Sequence, residues 1–328
     1  MASPEPGLDM RRRDFITFLA GGAVVAGARA ARAQQPTKVP RIGVLLISGP
    51  EPMGPFREAL HDLGYTEGKN IHIEVRSAQS QVARLPELAA QLVRSQVDVI
   101  VAIQTPAVYA ARNATRDIPI VMMAGDPIGT GLISNLARPD GNLTGLSGAA
   151  AELAAKSLEL IPEMVPAASR VGVLGNANDP FMKPFLEDIQ QAAPKVRLEV
   201  HQIIVRSSAE LDGAFSAVAR AGADAVIIQG SLSDKLTVGL ALKYRLPSLS
   251  TQKSAVEAGL LMSYSADLAE RGHEIARYVD KILKGTMPAD LPVQQPTRYE
   301  LAINLKTAKA LGLTVPPALL ARADKVIE

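Results

Sequence analysis

From residue 40 onward, short uninterrupted apolar runs alternate with stretches of helical spacing. Residues 41–47 (RIGVLLI) are continuous, branched and apolar, the pattern of a strand buried on both faces. Residues 52–63 have helix spacing and end at Gly64, a residue type that closes helices. Residues 70–76 (NIHIEVR) alternate, which predicts a half-buried strand nearer a sheet edge. Leu85, Leu88, Ala89 and Leu92 give residues 83–95 one apolar helix face. Strands predicted at 97–103 and 118–123 bracket a helix at 106–114. Repeated strand–helix–strand order predicts a parallel, doubly wound sheet.

The pattern then restarts. After a helix at 151–161, RVGVL at 170–174 echoes RIGVL at 41–45. Helices follow at 180–192, 209–221 and 234–244, with strands at 198–205, 223–229, 247–250 and 259–263. A long helix at 267–283 leads into a passage spaced by Pro288, Pro292 and Pro296, then a strand at 301–305 and short helices at 307–311 and 318–323. The predicted fold class is α/β, with two doubly wound parallel-sheet lobes joined by a multi-strand hinge. The N-terminal lobe is expected at 39–145 and the C-terminal lobe at 146–265, the join falling near 141–148. Residues 266–328 form a return segment that completes both lobes.

The first 33 residues change the picture. Arg11-Arg12-Arg13 precedes 14 uncharged residues, 15–28, and Ala31-Arg32-Ala33 supplies small residues at the −3 and −1 positions of a cleavage site. A basic region, a short apolar region and this ending predict an export signal cleaved near Ala33-Gln34. Arg12-Arg13-Asp14-Phe15-Ile16 also resembles the twin-arginine export pattern, with Arg11 where that pattern usually has Ser or Thr. Fourteen residues with three glycines are too few to span about 30 Å of hydrocarbon. Of the chain's 35 basic and 33 acidic residues, five and three lie in this segment, so the remainder balances 30 against 30. A basic nucleic-acid surface is thereby disfavoured. Cysteine is absent, so neither a disulfide framework nor a lipid-bearing cleavage site is expected. The expectation is a soluble monomer in a periplasm.

Seven stretches carry a family resemblance. Tyr278-Val279-Asp280-Lys281-Ile282-Leu283-Lys284-Gly285, Leu291-Pro292-Val293-Gln294-Gln295-Pro296-Thr297, and residues 303–313 (INLKTAKALGL) resemble the tail of a bacterial ABC-transporter substrate-binding family. That family includes binding proteins for tryptophan and tyrosine. Gly125-Asp126-Pro127, Gly131-Leu132, Leu136-Ala137-Arg138-Pro139 and residues 141–147 (GNLTGLS) resemble its central signature. The resemblance implies the type I periplasmic binding protein fold: two α/β lobes, three crossovers, and ligand in the cleft. Arg271-Gly272-His273 departs from the arginine pair expected in that helix.

In open parallel sheets, ligands gather beyond the carboxyl ends of the strands. The loops there nominate Ser48, Gln104, Thr105, Asp126, Asn176, Asn178, Ser231, Tyr264 and Asp267 as ligand-binding residues. Thr105 is expected to cap a helix with Pro106 at its first position, where free N–H groups and the helix dipole suit a carboxylate. Asp126 or Asp267 would then answer an amine. Asp179 reads as the cap of the next lobe's helix, leaving Asn176 and Asn178 to face a ligand. Thr105 and Asp267 also make sense as ordinary caps. Tyr109 and Tyr264 are candidate stacking platforms.

Catalytic signals fail. His61, His72, His201 and His273 lack metal-ligand spacing, so no metal and no cofactor are expected. Gly145-Leu146-Ser147-Gly148 misses the nucleophile-elbow spacing by one position, and neither a G-x-G-x-x-G turn nor a P-loop is present. The reading is a periplasmic binding component of an ABC importer, not an enzyme. It captures an amino-acid-like or aromatic solute and delivers it to a membrane permease. The alternatives are a ligand-sensing subunit for a receptor and an exported α/β enzyme.

Overall fold

Strand burial follows the apolar pattern closely. In the computed structural model, which describes residues 39–47 and 53–328, β1 (Arg41–Leu46), β3 (Val99–Ile103) and β4 (Ile120–Ala124) are buried on both faces after their first residue or throughout. The alternating β2 (His72–Ser77) lies at the sheet edge, as its pattern requires. With β5 (Leu143–Ser147) they form a five-stranded parallel sheet in the order β2-β1-β3-β4-β5. The expected export signal and Ser48 lie outside the described residues.

β5 falls where the sequence suggested only a join between lobes. L-T-G-L-S has little strand character of its own, and partners on both sides impose the conformation. β4 pairs along one edge. On the other, Gln294 accepts from the Ser147 N–H at 2.8 Å and donates its own N–H to the Gly145 carbonyl at 3.0 Å. Gly145 has φ +128°, and a Cβ there would stand 2.3 Å from the Met122 carbonyl oxygen. Only glycine permits that approach.

The second sheet is seven-stranded: β6 (Arg170–Asn176), β7 (Glu199–Val205), β8 (Ala225–Ile228), β9 (Ser248–Ser250), β10 (Met262–Ala266), β11 (Tyr299–Asn304) and β12 (Lys325–Ile327). Its order, β12-β11-β10-β9-β8-β6-β7, repeats the first sheet's logic, with β6 in the place of β1. The RIGVL and RVGVL runs therefore occupy equivalent strands. β10 and β11 are antiparallel, and the other pairs are parallel. β10 begins three residues later than its sequence pattern suggests, because Gly259 turns at φ +125°. β12 was not legible in the pattern.

The chain crosses between lobes three times. After β5, α4 (Ala150–Met164) sends Ala154, Leu158 and Ile161 into the core of the second lobe. After β10, α9 (Leu268–Leu283) returns to the first lobe. There Ile275, Ala276 and Val279 pack with Met53, Phe56 and Leu60 of α1 (Met53–Asp62). Gly272 brings the two helices close, since a Cβ on it would lie 2.6 Å from Pro55. Leu291 and Val293 then pack in the first lobe's cores before β11 re-enters the second sheet. The remaining helices cover the sheets: α2 (Leu85–Arg94) and α3 (Thr105–Ala114) on the first, α5 (Met182–Ala192), α6 (Leu211–Arg220), α7 (Lys235–Lys243), α8 (Lys253–Glu257), α10 (Leu305–Leu311) and α11 (Pro317–Ala321) on the second.

Candidate functional site

Each sheet reverses its winding direction once, between β1 and β3 in one lobe and between β6 and β8 in the other. Crevices open at the carboxyl ends of strands flanking such switch points. Here the two crevices face each other, and the cleft between them holds two connected chambers. The larger has a volume of about 400 Å³. Leu46, Ile47, Ile103 and Met123 of the first lobe make its apolar wall, and Ser233, Thr251, Gln252, Lys253 and Ser254 of the second make its polar wall. The smaller, about 60 Å³, is lined by Thr105, Gly125, Asp179, Phe181 and Ser231 among others. Gly125 and the Phe181 ring approach across the cleft, where a Cβ at 125 would lie 2.9 Å from the ring. Gln104, Met123, Gly230, Thr251, Gln252 and Arg271 border both chambers.

Arg271 is the charge at this junction. It projects from the first turn of α9, and its Nε donates to the Met123 sulfur at 2.8 Å. No carboxylate pairs with it among the described residues. The nearby acids are committed elsewhere. Asp267 caps α9, accepting from the Ala269 and Glu270 N–H groups, and lies 3.8 Å from Arg298, while Glu270 binds Thr297 and the Arg298 N–H. Burial pushes the guanidinium pKa down to about 10, so Arg271 remains cationic at neutral pH. A half-buried cation without a counter-charge is costly to hold unless a ligand supplies one.

Gln104 carries the site's backbone strain. Its φ of +74° and ψ of 147° belong to a region that L side chains rarely enter. Its N–H donates to the Met123 carbonyl at 2.8 Å, which pins the turn against β4. Such strain costs about 1–3 kcal/mol and gathers at functional sites. Gln104→Gly is therefore expected to change stability by less than about 1 kcal/mol, since relief of strain offsets glycine's entropy. It should nonetheless weaken ligand binding by about 0.5–1.5 kcal/mol through the lost side-chain contact. Melting curves and calorimetric titration side by side check this; unchanged affinity would remove Gln104 from the site.

Asp179 borders the small chamber and is 5% exposed. Its carboxylate accepts from the Phe181 N–H at 2.9 Å, Gln229 Nε2 at 2.8 Å and the Ser231 hydroxyl. Burial outweighs these donors and pushes its pKa above the ordinary aspartate value. A carboxyl raised in the fold contributes its full stability only below its unfolded pKa, and that contribution is lost as pH rises through the folded pKa. Asparagine does not titrate. The stability of Asp179→Asn relative to the parent is therefore expected to increase with pH, then level off. Urea melts of both proteins between about pH 3.5 and 8 check this; a constant difference would contradict it.

Of the residues nominated from sequence, Gln104, Thr105 and Ser231 meet at the chambers. Thr105 does so without capping α3. It is the helix's first residue, and its hydroxyl accepts from the Gly125 N–H at 3.2 Å; Gln104 holds the cap position, with no side-chain cap bond. Apart from Ser48, which lies outside the described residues, the others line neither chamber because local bonds hold them. Asp126 Oδ1 accepts from the N–H groups of Ile128 and Gly129. Asn176 donates to Ser231 and accepts from the Asn178 N–H, and Asn178 donates to the Arg206 carbonyl. Tyr264 stacks on Tyr299 at 5.8 Å, Tyr109 donates to the Thr130 carbonyl, and Asp267 is the α9 cap. Sequence reasoning missed Arg271, Gln252 and the cleft position of Asp179. Arg271 was visible only as a departure from an expected arginine pair.

Two α/β lobes with mainly parallel sheets, crossed three times by the chain, define a type I periplasmic binding protein fold. The chain belongs to the ABC transporter substrate binding protein family, whose model matches residues 49–327. It is a substrate-binding protein of that family. A tyrosine-binding protein from Clostridioides difficile is 31% identical over 265 residues, 79% of this chain and 75% of the relative. A conserved domain protein from Vibrio cholerae superposes with a TM-score of 0.81 at 30% identity, covering 88% of this chain and 100% of that one. The ABC domain from Streptococcus pneumoniae in complex with L-Trp gives a TM-score of 0.79 at 27% identity, covering 88% and 99%.

Proposed function

We propose that this protein captures an aromatic amino acid in the interlobe cleft and delivers it to an ABC permease. Arg271 carries the reading: an uncompensated cation at the junction of the chambers calls for a carboxylate, and α3 directs its positive end to the same place. The large chamber supports an aromatic side chain, with an apolar wall for a ring face and a polar wall for its edge. Relatives described as binding tyrosine and L-Trp point the same way. Export through the signal at residues 1–33 would place the protein in the periplasm, and no described helix is long and apolar enough to cross a membrane.

A thermal-shift series with L-tyrosine, L-tryptophan, tyramine and tryptamine tests the reading. A ligand at 100 times its dissociation constant adds about 2.7 kcal/mol. The amino acids are expected to raise the melting temperature and the amines, lacking the carboxylate, to leave it unchanged. Equal shifts from acid and amine would sink the role given to Arg271. Mass spectrometry of a periplasmic fraction should find a chain beginning at or near Gln34; a full-length cytoplasmic chain would sink the export.

A further inference from the structure

β10 ends at the floor of the large chamber, and its Ser263 and Ser265 point to the same face of the sheet. Both are almost fully buried, at 0% and 2% exposed, and neither hydroxyl has a hydrogen-bond partner among the described residues. Ser265 borders the chamber, and Ser263 lies two residues deeper. Two polar pairs beside them are already satisfied. Ser233 and Ser250 bond to each other at 2.7 Å, and Lys253 pairs with Glu300 at 2.6 Å, directly across the strand pair from Ser265. A buried hydroxyl left unpaired costs stability, and such a group at a binding cleft marks a bond that something else completes.

We infer that Ser265 is a specificity-determining residue that reads a hydrogen-bond donor on the ligand's ring. The cleft then selects the phenol of tyrosine or the indole N–H of tryptophan over the bare ring of phenylalanine. This rests on the aromatic amino acid reading above. The chamber sizes orient such a ligand. With its carboxylate at Arg271, where the chambers meet, only the 400 Å³ side has room for a ring, and the 60 Å³ side suits the amino group beside Asp179. The ring's edge faces the polar wall, where Ser265 holds the unused acceptor. Phenylalanine would fill the same space and leave that hydroxyl unpaired, forgoing the one hydrogen bond that tyrosine and tryptophan gain.

Calorimetric titration of the parent and Ser265→Ala with L-tyrosine, L-tryptophan and L-phenylalanine tests the assignment, with melting curves of both free proteins. The parent is expected to bind tyrosine and tryptophan about 3–10-fold more tightly than phenylalanine, the scale of one neutral hydrogen bond. Ser265→Ala should erase that preference by weakening the first two alone. Its free form should melt no lower than the parent, because no intramolecular bond is removed. A preference that survives in Ser265→Ala, or equal weakening of all three ligands, overturns the assignment and leaves Ser265 a packing residue. If none of the three binds the parent, the aromatic reading fails and takes this assignment with it.

Discussion

Replacing Arg271 by methionine is expected to remove most of the affinity for a carboxylate ligand while leaving the free protein as stable as before or more so. The two effects separate because the arginine makes no ion pair within the described protein. Its polar contact is to the thioether of Met123, and it lines a small, mainly apolar pocket together with Met53, Phe56, Ile103 and Ile275. Methionine fills a similar path and returns no charge to the interior, so the desolvation cost of the cation disappears. Binding loses a charge-assisted hydrogen bond, about 1.5–3 kcal/mol, or roughly ten- to a hundredfold in affinity. Titration with whichever of L-tyrosine and L-tryptophan binds the parent, alongside urea melts, reads both quantities. A variant that binds normally contradicts the assignment. One that loses several kcal/mol of stability shows instead that the arginine is paired within the fold.

The largest structural loss is expected from Gly145→Ala. The new methyl carbon would enter to 2.3 Å from the Met122 carbonyl oxygen and 2.7 Å from the Met122 nitrogen, and backbone cannot rotate aside as a side chain can. Added to this is the strain of φ +128°. β5 must leave β4, and the Gln294 N–H bond to the Gly145 carbonyl goes with it. A loss of about 3–5 kcal/mol is the expected scale, a large share of a domain's whole stability. Gly141→Ala serves as the control. Its φ is +67°, but no described residue lies within 4 Å of the added carbon, so it should cost about 1–2 kcal/mol. Equal urea midpoints for the two variants would show that the sheet yields at β5 more easily than its geometry implies.

Much of the architecture was legible because burial on two faces leaves a run that needs no partner to be recognised. RIGVL and RVGVL announced β1 and β6, and the alternation of NIHIEVR announced an edge. β5 was hidden because its conformation comes from Met122 and Gln294, far away in sequence. The candidate site divides in the same way. Looking beyond strand ends led to loops at the cleft, where Gln104, Thr105 and Ser231 border the chambers. Asp126, Asn176 and Asn178 stand on those loops too, but short polar side chains readily satisfy nearby backbone, and which ones do so depends on turn geometry. Arg271 escaped because it sits on a helix one turn past the strand end, where an arginine ordinarily faces water.

α9 has a mechanical consequence as well. It leaves the second lobe at β10, yet its body is clamped on α1 of the first, where Gly272 lets the backbones nearly touch. Arg271 is therefore carried by the first lobe, whereas Gln252 and Thr251 opposite belong to the second. A solute gripped by both sets of groups gains its full binding energy only at one separation of the lobes, so differential contact becomes displacement. On the proposed function the fold would act as a transducer: occupancy would be written as the distance between the two lobes, and a receiving surface that touches only their outer faces could read it without meeting the solute.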